Sequence, residues 1–173
     1  MFNLLSMLAS VVADRLQPST PKQYNICAEG TKVSLTKAPF VRHLTNEAGD
    51  DVFTGESVED NVTYGFITAR LKNPVSDSVV AEQKLFLFLE ELHPSFDIAY
   101  TTGLDHGFTH ETYSEAIGMT DYWQDAEGKD WKVQAWTDGA LIAVLYVKNI
   151  NEAPFQKQDA FLKSVEFSVQ KLA

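Results

Sequence analysis

The sequence predicts an α+β fold: a largely antiparallel sheet with a C-terminal three-strand meander, covered by helices. Three observations carry that expectation. The stretch from Thr120 to Lys148 alternates apolar-aromatic runs with two turn signals, Glu127-Gly128 and Asp138-Gly139, and holds all three tryptophans, Trp123, Trp131 and Trp136. Ala81, Leu85, Phe88, Leu89 and Leu92 recur at the spacing of one helix face. The order of elements is strand pair, long strand, helix, strand, meander and helix, which suits hairpin-linked strands with helices laid over a face.

Taken in order, the chain opens on residues 1–17, where Asn3, Ser6, Ser10, Asp14 and Gln17 form one polar stripe and Met1, Leu4, Leu5, Leu8, Val11 and Val12 fill the opposite side. That period predicts an amphipathic helix docked on the domain or on a second copy, which would make the chain a homo-oligomer. Val11-Val12-Ala13 resembles a signal cleavage site, but no Lys or Arg precedes the apolar run and polar residues interrupt it. Residues 18–23, with Pro18 and Pro21, read as a linker, and residues 24–173 as a single domain. Tyr24 to Ala28 and Lys32 to Leu35 flank Glu29-Gly30-Thr31 as a strand pair, and Pro39 to Leu44 is extended. Residues 46–61 carry Glu47, Asp50, Asp51, Glu56, Glu59 and Asp60 without a Lys or Arg, and read as a solvated loop. Their spacing is not that of an EF-hand. Val62 to Leu71 is a long strand with mixed alternation, ended by Asn73-Pro74. Ser76, Asp77 or Ser78 caps a helix running to about Leu92, and Pro94 closes it. Ile98 to Thr102 is a short strand. Pro154 starts the last helix, and Val165, Phe167 and Val169 continue as a terminal strand.

The meander can be registered. A two-residue loop at Asp138-Gly139 sets Trp136 opposite Leu141, Val133 opposite Val144 and Trp131 opposite Tyr146. A similar loop at Glu127-Gly128 sets Gln124 opposite Trp131 and Trp123 opposite Lys132. Alternation then gives a core face of Tyr122, Trp131, Val133, Ala135, Ile142, Val144 and Tyr146. The other face carries Trp123, Lys132, Gln134, Trp136, Leu141, Ala143 and Leu145. Its centre (Trp123, Trp136, Leu141 and Leu145, with Lys132) is the expected partner-binding surface, because exposed Trp is enriched at interface hot spots.

At 173 residues and 19.3 kDa the chain suits one domain. A net charge of −10 disfavours nucleic acid, and no run approaches the length of a transmembrane segment. Cys27 is the only cysteine, which excludes an intramolecular disulfide and fits a reducing, cytoplasmic setting; a periplasmic one follows instead if residues 1–13 act as a signal. The cluster closest to chemistry is Asp105, His106, His110, Glu111 and Glu115. On a helix, His106 and His110 would share one face, as metal ligands need. Against this, Gly107 lies between them, no Glu follows His106, and the third ligand is unspecified. The chain holds no nucleophile elbow, P-loop or dinucleotide fingerprint. No catalytic residue and no cofactor is assigned. The expected function is a small acidic protein-binding module of the adaptor, chaperone or immunity-like kind; the competing readings are a metal-dependent enzyme using His106 and His110, and a carrier of a small apolar ligand.

Trp131-Lys132-Val133-Gln134-Ala135-Trp136, Ala143-Val144-Leu145-Tyr146-Val147 and Phe161-Leu162-Lys163-Ser164-Val165-Glu166-Phe167, in this order of elements, resemble the Mog1/PsbP-like fold and its small bacterial DcrB-type members over residues 62–169. The resemblance implies a binding role, since members of that fold are mostly adaptors, assembly factors and chaperones without a shared catalytic site.

Overall fold

The computed structural model describes residues 20–27 and 30–168. The helix expected over residues 1–17, the self-association assigned to it, and Val169 lie outside these residues. The α+β expectation holds. Among the described residues there are ten strands: β1 (Lys22–Asn25), β2 (Lys32–Leu35), β3 (Phe40–Thr45), β4 (Asp51–Glu59), β5 (Val62–Arg70), β6 (Ile98–Thr101), β7 (Asp105–Thr109), β8 (Ile117–Asp125), β9 (Asp130–Thr137) and β10 (Leu141–Lys148). Two α-helices join them, α1 (Ser78–Ser95) and α2 (Phe155–Leu162), with a 3₁₀ turn at Ile150–Glu152. An eight-stranded antiparallel sheet runs β3-β4-β5-β10-β9-β8-β6, with β7 also pairing along β8. β1 and β2 form a separate hairpin.

The central strands are buried on both faces, so β10 reads as a nearly continuous apolar run, and β5 shows mixed alternation for the same reason. On one face α1 covers Met119, Trp123, Trp131, Val133, Ala135, Val144 and Tyr146. On the other, the β1–β2 hairpin, α2 and the segment after it cover Phe66, Trp136, Ala143, Leu145 and Val147. Asp77 caps α1 by accepting from the Val79 and Val80 amides at 2.9 and 3.0 Å.

Two registers differ from expectation, with unequal consequences. At the β9–β10 turn, Thr137 pairs with Ile142 and Ala143 with Trp136, two residues away from the expected register. The Asp138 carboxylate accepts from the Ala140 and Leu141 amides, and Gly139, at φ +85°, abuts the Val75 carbonyl, so the tip is Gly139-Ala140. A shift of two preserves which side chains share a face, and Trp131 and Val144 stay together. At the β8–β9 turn, Trp123 pairs with Trp131 and Gln124 with Asp130, a shift of one. Here Asp125 accepts from the Glu127 and Lys129 amides, and Gly128, at φ +78°, closes a three-residue loop. That single residue moves Trp123 to the α1 side and turns Tyr122, expected in the core, out to 39% exposure.

Other corrections are local. The acidic stretch 46–61 is not a loop, because β4 runs through most of it. Its Asp51 and Glu56 are exposed while Val52, Gly55 and Ser57 are buried. The β4–β5 hairpin turns on Asp60-Asn61, both at positive φ (48° and 66°), between paired Glu59 and Val62. This is a type I′ geometry formed without glycine. Lys22 and Gln23, assigned to the linker, already belong to β1. Of the expected terminal strand, the described residues form one bridge, Glu166 with Lys32.

Candidate functional site

The five residues expected at a partner surface do not form one. Trp123 is 2% exposed beneath α1, edge-on to His93 with ring centroids 5.0 Å apart, and its indole N–H donates to Asp121 at 2.7 Å. Trp136 is 4% exposed on the opposite side of the sheet, edge-to-face with Phe108 and His110. Leu141 and Leu145 are buried. Lys132 lies under α2, its ammonium 5.2 Å from the Phe155 ring centroid and 3.9 Å from an Asp159 oxygen. The expected face therefore packs inside the same chain, and the one-residue shift at Gly128 separates Trp123 from Trp136.

His106 and His110 are not on a helix. They sit on and just after β7, which is bulged between His106 and Phe108. His106 is exposed, its Nδ1 3.0 Å from a Glu82 oxygen on α1. His110 is buried; its Nδ1 accepts from the Thr112 amide, and its ring also bonds the Val165 backbone. Burial pushes its pKa down, against the smaller upward pull of the Val165 bond and of Glu111. Among the described residues no three His, Cys, Asp or Glu side chains gather as a metal site. What the structure does bring together is His110 and Trp136, with ring centroids 4.8 Å apart.

The unexpected site is the outer side of α1. Its inner stripe, Ala81, Leu85 and Leu89, is buried. Yet Val79, Val80, Phe86 and Leu87 are 60, 40, 39 and 58% exposed, so the helix is apolar on both sides. Phe86 and Leu87, with Leu104 from the β6–β7 connection and Met119 from β8, line a groove of about 480 Å³. The Glu82–His106 pair lies at its edge. Glu82 also lines a larger cavity, about 780 Å³, that extends to the N-terminal end of α1. That end carries Asp77, Glu115 and Asp138, and its described lining holds neither Lys nor Arg. Glu115 and Asp138 both accept from the Tyr113 hydroxyl, at 3.2 and 3.4 Å, and burial with these two carboxylates raises the Tyr113 pKa to about 12. The apolar groove and the acidic cavity thus share Glu82 as a common wall. In the sequence its signal is the run Val79-Val80 and Phe86-Leu87, which breaks the one-stripe pattern of α1.

No helix among the described residues is long and apolar enough to cross a membrane. No protein-family model matches the chain, and no curated protein matches it in sequence.

Proposed function

We propose that the chain is a non-catalytic protein-binding module, of the adaptor or chaperone kind, that docks an apolar segment of a partner along the outer side of α1. The observation that supports this is the second apolar side of α1. A surface helix needs one apolar face to hold it to the sheet, and Ala81, Leu85 and Leu89 already supply it. Val79, Val80, Phe86 and Leu87 add nothing to that core and form, with Leu104, an exposed patch continuous with a groove. The carboxylates of Asp77, Glu82, Glu115 and Asp138 favour a partner segment that carries Lys or Arg beside its apolar residues. The net charge of −10 steers such a partner from a distance. The resemblance to the Mog1/PsbP-like proteins, with their adaptor and chaperone members, belongs to the same proposal, as does a bacterial cytoplasmic setting.

Fluorescence anisotropy with a labelled amphipathic Leu/Lys peptide, against the same peptide with Glu for every Lys, tests the reading. The Lys peptide is expected to bind and the Glu peptide not. Leu87→Glu should weaken binding by about tenfold or more while shifting folding stability by less than about 1 kcal/mol. Equal binding of the two peptides, or an unchanged affinity in Leu87→Glu, would refute it.

A further inference from the structure

One polar pair joins the two cavities beside α1. Glu82, on α1, lines both the apolar groove and the acidic cavity. His106, on β7, lines the same groove and holds its Nδ1 3.0 Å from a Glu82 oxygen. The carboxylate can only accept, so the neutral imidazole carries its hydrogen on Nδ1 and donates it to Glu82. The His106 side chain is 62% exposed and exchanges protons with solvent, whereas that of Glu82 is 27% exposed and largely enclosed.

The charged groups around the pair are few. Within the described lining of the groove, Glu82 and His106 are the only ones that titrate. On β7, the Asp105 carboxylate accepts from the His106 amide at 3.0 Å. On β8, Met119 stands opposite His106, and its neighbours Gly118 and Thr120 are neutral. On α1, Gln83 is neutral and Lys84 donates to the Asn73 carbonyl at 3.3 Å. In the acidic cavity Asp77, Glu115 and Asp138 share the lining with Glu82. Carboxylates ordinarily stay ionised above about pH 5.5 and ammonium groups stay charged below about pH 9. That leaves an imidazole as the group that changes charge between these limits.

We propose that Glu82 receives the Lys or Arg of a docked partner, and that His106 leaves Glu82 to it when neutral and competes for it when protonated. The proposal rests on α1 as the docking surface and adds the residue that reads the partner's charge and the proton that controls it. Among the carboxylates of the acidic cavity, Glu82 is the one that also borders the groove, so a cation next to a side chain anchored on Phe86 and Leu87 meets it first. A neutral His106 ring leaves the charge of Glu82 to the partner. An imidazolium pairs with that charge and adds a positive one at the groove edge, which repels the incoming cation. Affinity for a basic segment is therefore highest when His106 is neutral and falls as pH drops from about 8 to about 5.5. An exposed ion pair changes such an equilibrium by up to about fivefold.

The test is fluorescence anisotropy of the Leu/Lys peptide with the whole chain in low salt, at about pH 8 and about pH 5.5, and the readout is the ratio of the two affinities within each protein. Wild type should show a ratio of about three to five. His106→Gln keeps a donor for Glu82 but cannot gain a charge; it and Glu82→Gln should each bring the ratio below about 1.5. His43, His93 and His110 remain in both variants, so a general effect of acid on the fold would persist there. A wild-type ratio below about 1.5, or a variant ratio equal to the wild-type one, overturns the switch. Leu87→Glu separates it from the docking itself. Binding that Leu87→Glu weakens, with no pH dependence, overturns the control by His106 and leaves the groove standing, whereas no binding at the higher pH overturns both.

Discussion

Replacing Asp125 by Asn should destabilise the fold by about 2–4 kcal/mol at neutral pH, and the loss should shrink in acid. Asp125 is 4% exposed at the β8–β9 turn. Its carboxylate accepts from Lys148 Nζ at 2.9 Å, Trp131 Nε1 at 3.1 Å, and the Lys129 and Glu127 amides at 2.9 and 3.0 Å. Burial on its own raises the Asp125 pKa. The Lys148 ammonium, the Lys129 amide and the Trp131 indole outweigh it and hold the carboxyl at about 2. Against the ordinary value near 4, that difference corresponds to on the order of 2 kcal/mol. An Asn carbonyl can keep the two turn amides, but its NH₂ then meets the Trp131 N–H and the Lys148 ammonium, donor against donor.

The sign of the pH effect follows from the lowered pKa. The folded state favours the carboxylate, so the stabilisation is complete above about pH 4 and is lost as pH falls through about 2. Urea denaturation of both proteins at pH 7, 5, 3 and 2, fitted with a shared slope, measures the difference. It should be constant from pH 7 to 5 and narrow below 4. A difference under about 0.5 kcal/mol at pH 7, or one that stays the same down to pH 2, would refute the account.

The lowered pKa of buried His110 means that the unfolded chain takes up a proton near pH 6.5 before the folded one does, so stability should fall as pH drops below about 6.5. His110→Phe should remove that part of the slope in urea midpoints between pH 7 and 5; an identical slope in the variant would count against burial of the neutral ring. Gly65→Ala should destabilise by about 1–3 kcal/mol, because a Cβ there would sit 2.1 Å from the Tyr146 ring, and a wild-type melting temperature in the variant would show that ring to be free to move. Trp123→Ala should cost about 3–5 kcal/mol of folding stability, as for a large core side chain; a loss under 1 would place Trp123 at the surface after all.

Helical period and turn residues made much of this fold legible. The α1 stripe, the strand pair β1–β2, the long β5 and the β9–β10 faces follow from spacing alone. The failures have particular physical causes. Gly128 marks a turn in the sequence, but whether the loop has two residues or three depends on the Asp125 side chain capturing two amides, and that choice sets the face of Trp123. β4 was hidden because its carboxylates resemble those of a solvated loop, and Asp60-Asn61 adopts a tight turn without the glycine that advertises one. His106 and His110 would share a face only at a helical period, whereas β7 is extended. The pairing of His110 with Trp136, and the cavity beside them, joins strands β7 and β9 with the end of the chain, a proximity no local pattern encodes.

Burial of the central strands on both faces confines recognition to the periphery, and two apolar places there compete. Edge strand β3 exposes Phe40, Val41 and Leu44, together with a backbone edge that no described strand pairs, which is a template for strand addition. Its side chains are interrupted, however: Arg42 lies 5.4 Å from the Phe40 ring centroid and His43 stacks on Phe53 at 4.3 Å, so charge and local contacts blunt the edge. On α1, Phe86 and Leu87 instead border a groove with Leu104 and Met119 as its far wall and the Glu82–His106 pair at its edge. Hot spots form where an anchor side chain can be enclosed and dried, which a groove permits and a flat, charge-interrupted edge does not. The proposed docking is therefore placed on α1, and a charge at Leu87 should reduce binding more than one at Val41.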